Sequence, residues 1–145
     1  MRYAKFLREA TAWLRGATGV DYFAMDEVLK HNPSATQLRV IIPARLDSYI
    51  QDYYTNWFHE PVTKNDIENL SIILKRIKEM NPASLLEMRY KIITQEHYNL
   101  RHDQEVTYSD EVYAFQVNES TDTQDTVDKS RNAGVPITLH KKYQI

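Results

Sequence analysis

The stretch from Val112 to Tyr143 constrains the fold more than any other part of the chain. An apolar run over 112–117 is followed by a polar turn of Asn, Glu, Ser, Thr and Asp residues over 118–123. A helix-like segment comes next, and Gly134 and Pro136 separate it from a second β-like run over 137–139. Strand, turn, helix, glycine and strand is the order of a βαβ unit. The sequence therefore predicts an α/β fold, with the polar turn where such units hold anionic or nucleotide ligands.

The composition limits the class of protein. A chain of 145 residues fits one domain over 1–145, and 42% hydrophobic with 26% charged residues is ordinary for a soluble globular protein. The formal charge of −2 and the scattered Lys and Arg residues argue against a dedicated nucleic-acid binder. No cysteine is present, which excludes disulfides and favours a reducing cytoplasm. Since no apolar run approaches the ~20 residues of a membrane span and no signal-peptide segment begins the chain, we expect a cytoplasmic protein without membrane contact.

The rest of the chain alternates helical periodicity with short buried strands. The β-branched run Leu38–Ile42 ends at Pro43 and predicts a buried parallel strand. Thr63 and Asp66 predict a capping box at the start of a helix. We expect five helical segments, over 3–14, 21–31, 46–57, 63–77 and 82–104, the last with a break near Thr94. Helices that alternate with buried strands indicate an α/β sandwich.

The polar turn before the predicted helix at 123–132 is the first candidate ligand site. Backbone N–H groups at the start of a helix are unpaired and carry the positive end of its dipole. Ser120, Thr121 and Thr123 add hydroxyl donors that suit phosphate or ribose oxygens. Simple N-capping explains the same residue types, because Ser, Thr and Asp are preferred at any helix start. Asp122 and Asp125 favour a weakly charged ligand over a dense polyphosphate, because like charges repel.

A second candidate is the turn over 16–21, which holds two of the three glycines of the chain. Glycine permits close approach of the backbone to a ligand because it lacks Cβ. We therefore predict ligand contacts from Gly16, Thr18, Gly19 and Asp21. The alternative is that the glycines end one helix and Asp21 caps the next.

Other polar and aromatic residues add candidates. Arg101 is the cation we favour for holding a phosphate, with a solvated surface arginine as the alternative. His97 and His102 are five residues apart, which does not give the i, i+4 spacing of a helical zinc pair, so we predict no metal site. The aromatic stripe of 49, 53, 54 and 57 is typical of a core or interface, and base stacking is the alternative. We predict no cofactor.

Five segments, in order, resemble a known superfamily: 16–21, 40–44, 101–102, 120–127 and 134–137. The first, Gly-Ala-Thr-Gly-Val-Asp, resembles the glycine turn of Smf-type DNA-processing proteins, and 120–127 resembles a Ser-x-Gly-Thr phosphate turn. Together they are similar to the Rossmann-like superfamily of the Lonely Guy phosphoribohydrolases, often called lysine-decarboxylase-like proteins, which includes nucleotide-sensing domains. The resemblance implies a three-layer Rossmann-like sandwich with a short parallel sheet and a nucleotide or nucleoside-like ligand.

Departures from the family pattern shape these expectations. Asp122 takes the place of a glycine, and Thr126 takes the place of the catalytic glutamate, with Asp125 one position away. The resemblance implies that Arg101 would hold the phosphate, and Asp125 or Asp21 would have to replace the glutamate in catalysis. Because the first segment has helical periodicity, we expect the opening strand of the family to be missing and residues 55–95 to form a large helical insert without a counterpart. A reduced sheet, or one completed by a partner chain, would follow.

Two classes of function remain open. The first is a nucleotide-binding protein, either a sensor or a hydrolase that cleaves an N-glycosidic bond through an oxocarbenium-like centre. The second is a non-catalytic, homo-oligomeric interaction module of the same fold. Smf-like binding of single-stranded DNA is a further alternative, which would need a basic groove.

Overall fold

A computed structural model describes residues 11–57, 62–90 and 93–145. The chain divides into two compact units, Met1–Ile93 and Thr94–Ile145. Each unit contains parallel strands and helices, so the α/β class predicted from the sequence is confirmed. The described residues form five α-helices, one parallel sheet of three strands and one of two. None of these helices combines the length and the apolar character that crossing a membrane requires.

The first unit contains the three-stranded sheet, with strand order β1-β2-β3. Leu14 of β1 pairs with Val40 of β2, and Val40 pairs in turn with Leu85 of β3. The elements in chain order are β1 (Ala12–Arg15), α1 (Val20–His31), β2 (Leu38–Ile42), α2 (Leu46–Asp52) with a following π-helical turn (Tyr53–Trp57), α3 (Lys64–Met80), a 3₁₀ turn (Pro82–Ser84) and β3 (Leu85–Glu87). Because all three strands are parallel, their carboxyl ends lie on one edge of the sheet.

The core of the first unit forms between the sheet and its helices. Strand β2 is almost entirely apolar and buried, as expected for the middle strand of a parallel sheet. Helix α3 contacts α1, α2 and β3 and buries one apolar face at helical spacing, formed by Ile67, Leu70, Ile73, Leu74 and Ile77. The predicted capping box is confirmed at its start, where the Thr63 hydroxyl accepts from the Asp66 N–H and the Asp66 carboxylate accepts from the Thr63 N–H.

The aromatic stripe lies partly in the core of the first unit, and Tyr54 and Trp57 are half-buried. Tyr49 and Tyr53 are buried, and their rings meet edge to face with centroids 5.3 Å apart. Trp57 continues the stripe at the end of the π-helical turn. These rings hold the segment after β2 against the rest of the unit.

The second unit contains the βαβ arrangement that the sequence predicts. Its elements are α4 (Gln95–Thr107), β4 (Val112–Val117), α5 (Thr121–Asn132) and β5 (Ile137–Tyr143). Strands β4 and β5 pair in parallel, and α5 contacts both of them and α4. Gly134 has a positive φ of 73°, which suits glycine at the end of a helix. The order and the parallel pairing of this unit are confirmed.

The prediction of a helix through residue 14 is wrong, and so is the prediction of a missing opening strand. Strand β1 stands at the end of the segment predicted as a helix over 3–14, while residues 3–10 lie outside the described part of the chain. Parallel pairing with β2 fixes Ala12–Arg15 as a strand, so tertiary contact prevails over helical periodicity. The prediction that the opening strand is missing is therefore wrong, because β1 directly precedes the glycine turn.

The predicted helix from Pro82 is also wrong. A single 3₁₀ turn leads into β3, which pairs with β2, so a strand of the sheet lies within the predicted helical insert over 55–95. The Ser84 hydroxyl donates to the Ala35 carbonyl at 2.5 Å, and the Asn81 amide donates to Ser84. The long-range hydrogen bond from Ser84 to Ala35 anchors the turn beside β2. Helix α4 begins after Thr94, where the sequence predicts a break.

Candidate functional site

The site residues predicted from the sequence fall into two groups. The first unit holds Gly16, Thr18, Gly19 and Asp21, and the second unit holds Arg101, Ser120, Thr121, Thr123 and Asp125. Each group is described within its own unit.

The turn over 16–21 begins where β1 ends. Gly16 is buried, and a Cβ atom on it would lie 2.5 Å from Cγ2 of Ile42 and 3.2 Å from Cδ2 of Leu74. Glycine is therefore required here by close packing against β2 and α3. Gly19 has a positive φ of 79° and open space around its Cα, so its backbone conformation explains the second glycine.

The remaining groups of this turn have partners inside the unit. The Thr18 N–H donates to the Tyr53 hydroxyl at 3.2 Å, which ties the turn to the aromatic stripe. Asp21, in the first turn of α1, forms an ion pair of 3.3 Å with Arg15 at the end of β1. The pair is largely buried and fixes the strand to the helix that follows it. Gly16, Gly19 and Asp21 thus position the turn, and the Thr18 side chain is its best remaining candidate for ligand contact.

An open polar groove adjoins the ends of two strands in the same unit. Its volume is about 710 Å³, and it is lined by Arg45, Leu46, Asp47, Lys75, Lys78, Glu87 and Arg89. Arg45 precedes α2, Lys75 and Lys78 lie on α3, and Glu87 ends β3. The groove therefore lies at the carboxyl ends of β2 and β3. In open α/β sheets this is the region in which ligands bind.

Glu87 organises the wall of this groove. One of its carboxylate oxygens accepts from the Leu46 N–H at 2.8 Å, and the other lies 2.7 Å from the Lys78 ammonium. Partial burial raises the pKa of Glu87, but the bonds from Lys78 and Leu46 and the charges of Lys78 and Arg45 outweigh it and lower the pKa. Glu87 is therefore an anion that the unit itself places among cations.

In the second unit the turn before α5 is an N-cap. The Ser120 hydroxyl accepts from the Thr123 N–H at 3.4 Å and also contacts the Thr123 hydroxyl. Thr123 is buried, while Thr121 is exposed at the first position of the helix. Of the three predicted ligand contacts, Ser120 and Thr123 thus have a capping role. Thr121 faces solvent.

Arg101 and Asp125 have structural surroundings that differ from those of an open phosphate site. Arg101 is only 2% exposed. The Asp125 carboxylate accepts from Nδ1 of His102 at 2.8 Å and pairs with Lys129 at 2.9 Å. Lys129 in turn pairs with Asp103 at 3.1 Å. We interpret this network as a link between α4 and α5.

The charges of this network shift the pKa values of its members. Burial raises the pKa of Asp125, but hydrogen bonds from His102 and Lys129 prevail and lower it. Burial lowers the pKa of Lys129, but its bonds to Asp125 and Asp103 prevail and raise it. Asp125 therefore remains ionised. His102 has no exposed surface, so its imidazole does not present an acid–base group to solvent, whereas the Asp125 side chain is one-third exposed.

The sequence pattern does not indicate the cations of the groove. Arg45, Lys75 and Arg89 are separated by tens of residues and meet only because β2, α3 and β3 fold together. The available signal was that Arg45 follows the predicted strand by three residues, close to the position at which strand ends carry binding groups. In the sequence, His102 stands out only by its spacing from His97 and as part of the 101–102 segment of the resemblance, and neither feature indicates its hydrogen bond to Asp125. Among the described residues, no group of three His, Asp or Glu side chains could hold a metal ion.

Comparison with known proteins finds no matching family model, no matching curated protein and no matching solved structure.

Proposed function

We propose that this protein binds a nucleotide or nucleoside-like small molecule at the carboxyl ends of β1, β2 and β3. The observation that carries the proposal is the meeting of three polar segments at one edge of a parallel sheet. The turn over 16–21 follows β1, Arg45 follows β2, Glu87 ends β3 and Arg89 follows it. Ligands of open α/β sheets bind in the crevice outside the carboxyl ends of the strands, which is the edge that these segments share.

The three-layer Rossmann-like sandwich is part of the same proposal. Two features support it: both sheets are parallel, and each parallel pair is connected through a helix. Such βα connections are the building units of that fold. That residues 1–145 form a single domain stays a prediction.

Binding is better supported than N-glycosidic hydrolysis. A hydrolase of this kind needs a carboxylate that faces the ribosyl centre. Asp125 is held by His102 and Lys129, and Asp21 is held by Arg15. Both carboxylates thus serve ion pairs within their own units, which favours a sensor or binding protein.

The test is a calorimetric titration of the full chain with adenosine and with AMP. We expect both to bind, and Thr18→Val to weaken adenosine binding about threefold to tenfold through loss of a hydroxyl hydrogen bond. Thr36→Val is the matched control, since Thr36 is exposed and precedes β2 at its amino end. The proposal would be contradicted if neither adenosine nor AMP bound. Equal effects of the two substitutions would remove Thr18 from the site.

The hydrolytic form of the proposal is tested by chromatographic detection of free base after incubation with AMP. Base release that is lost in Asp125→Asn and in Arg101→Lys would support catalysis by this pair. Binding without base release would leave a sensor.

An interaction module is the second candidate, and exposed apolar side chains favour it. Phe23 on α1 is 69% exposed and Ile72 on α3 is 64% exposed, and the two helices contact each other. Large exposed apolar side chains are typical of association surfaces when they are grouped. Sedimentation equilibrium would detect a homo-oligomer, and Phe23→Ser with Ile72→Ser should dissociate it. A monomeric wild-type protein at all concentrations would contradict this candidate.

A further inference from the structure

The groove beside α2 and β3 has an excess of positive charge. Its lining contains four cations, Arg45, Lys75, Lys78 and Arg89, and two carboxylates, Asp47 and Glu87. In the part of the chain that the structure describes, Lys78 pairs with Glu87, whereas Arg45, Lys75 and Arg89 make no salt bridge. These three side chains are also exposed. The groove thus offers cations to an anion from solution.

The shape and lining of the groove indicate a small hydrophilic occupant. A volume of about 710 Å³ lies within the range of about 300–1,000 Å³ that is typical of small-molecule sites. Leu46 is the one apolar side chain of the lining. Arg45 and Arg89 can each donate two parallel hydrogen bonds to a phosphate, which Lys cannot do. Arg45, Arg89 and Lys75 together offer three positive charges. A ligand with several phosphate groups matches them better than a ligand with a single carboxylate.

Glu87 determines how much charge the groove presents. Its carboxylate neutralises Lys78 at 2.7 Å and accepts from the Leu46 N–H, so it occupies a position that suits an anionic oxygen. An incoming phosphate would be attracted by Arg45, Lys75 and Arg89 and repelled by Glu87. Replacing Glu87 with Gln removes the repulsion, and the Gln carbonyl oxygen can still accept from the Leu46 N–H.

We propose that this groove is a diphosphate-binding site, with Arg45, Lys75 and Arg89 as its phosphate ligands and Glu87 as the residue that limits its affinity. The inference deepens the proposed function, on which it rests for the nucleoside part of the ligand. The charged end of the ligand would lie in the groove, whose lining does not include the turn over 16–21.

The probe is inorganic pyrophosphate, titrated into the full chain by calorimetry at constant ionic strength. We expect saturable binding by the wild-type protein. Arg45→Gln combined with Arg89→Gln should weaken it about tenfold, since each exposed charge pair contributes a factor of about two to five. Glu87→Gln should strengthen it about threefold by the same reasoning. The thermal unfolding of each variant shows that it is folded.

The matched control is Lys64→Gln, in which Arg45, Lys75 and Arg89 are all unchanged. Lys64 lies at the start of the same helix, is exposed and pairs with Glu68 at 3.6 Å, away from the lining of the groove. The Lys64→Gln substitution removes a positive charge from the protein and leaves the groove lining unchanged. An equal loss of affinity per charge in this control and in the arginine variants would overturn the assignment, and so would absence of pyrophosphate binding. Unchanged affinity of Glu87→Gln would overturn the role of Glu87.

The results separate this inference from the proposed function. Adenosine binding without pyrophosphate binding would reject the groove and leave the nucleoside site in place. Pyrophosphate binding without adenosine or AMP binding would support the groove and reject a nucleotide as the ligand.

Discussion

Substitution of Gly16 by alanine should destabilise the first unit through steric overlap. The added Cβ would lie 2.5 Å from Cγ2 of Ile42, 3.1 Å from Cγ1 of Val40 and 3.2 Å from Cδ2 of Leu74. Two of these three atoms are branch methyls on β2, which is paired on both sides and cannot shift easily. Overpacking of this kind costs about 1–3 kcal/mol, and we expect about 2 kcal/mol for Gly16→Ala.

The assay is urea unfolding followed by circular dichroism, with the free energy of unfolding extrapolated to water. Gly19→Ala is the control at the other end of the turn, because no atom lies within 4 Å of its added Cβ and only the positive φ of 79° opposes it. That strain costs about 1 kcal/mol. Gly16→Ala should therefore be the more destabilising of the two substitutions.

A double mutant identifies the cause. Ile42→Leu moves the branch away from Cβ and removes the Cγ2 atom that the new methyl group would meet. In the Gly16→Ala, Ile42→Leu protein we expect about 1 kcal/mol of favourable coupling relative to the sum of the single substitutions. A cost of Gly16→Ala below that of Gly19→Ala, or zero coupling with Ile42→Leu, would refute the packing explanation for this glycine.

Three further substitutions test separate parts of the structure. Thr63→Ala removes the capping box of α3 and should lower the free energy of unfolding by about 1 kcal/mol in urea titrations, and an unchanged value would contradict the cap. Tyr53→Phe leaves the Thr18 N–H without its phenolic acceptor and should also cost about 1 kcal/mol, measured by thermal unfolding. The lowered pKa of Asp125 means that its stabilising effect is present above its ordinary pKa of 3.8 and is lost as the pH falls through the lowered value. Asp125→Asn should therefore destabilise the protein at neutral pH and have little effect near pH ~2, and a pH-independent effect would contradict the ion-pair network.

The elements predicted correctly from the sequence are those that local residue types determine. Strand Leu38–Ile42 is β-branched and buried, the capping box at Thr63 is a local hydrogen-bond pair, and Gly134 ends a helix through its own φ. The βαβ unit from Val112 follows from the same local signals. None of these predictions depends on which distant segment an element contacts.

The missed strands depend on distant pairing. Ala12–Arg15 continues a segment with helical periodicity, and it is a strand because β2 pairs with it. Leu85–Glu87 is only three residues long and follows a proline that suits a helix start, yet the ladder to Val40 and Ile42 makes it a strand. Contacts of this kind are invisible to a local pattern.

The same division between local signals and distant contacts applies to the candidate site. The turn over 16–21 is indicated as a candidate by its glycines, which are a local signal, although Gly16 proves to be a packing residue. The groove is not indicated by the sequence, because its cations lie before α2, on α3 and after β3. Arg101 and Asp125 are predicted site residues because of their charge and their places in the family resemblance. Only the fold reveals that Arg101 is buried and that Asp125 contacts His102 and Lys129.

Backbone amide NMR of the ¹⁵N-labelled full chain during titration with ADP tests the central claim most directly. Ligand binding at the carboxyl ends of β1, β2 and β3 predicts saturable chemical-shift changes that are largest at Thr18 and Gly19, at Arg45 and Leu46, and at Glu87 and Arg89. Shifts that are largest at Ser120 and Thr121, or no shifts at saturating ADP, would contradict the account.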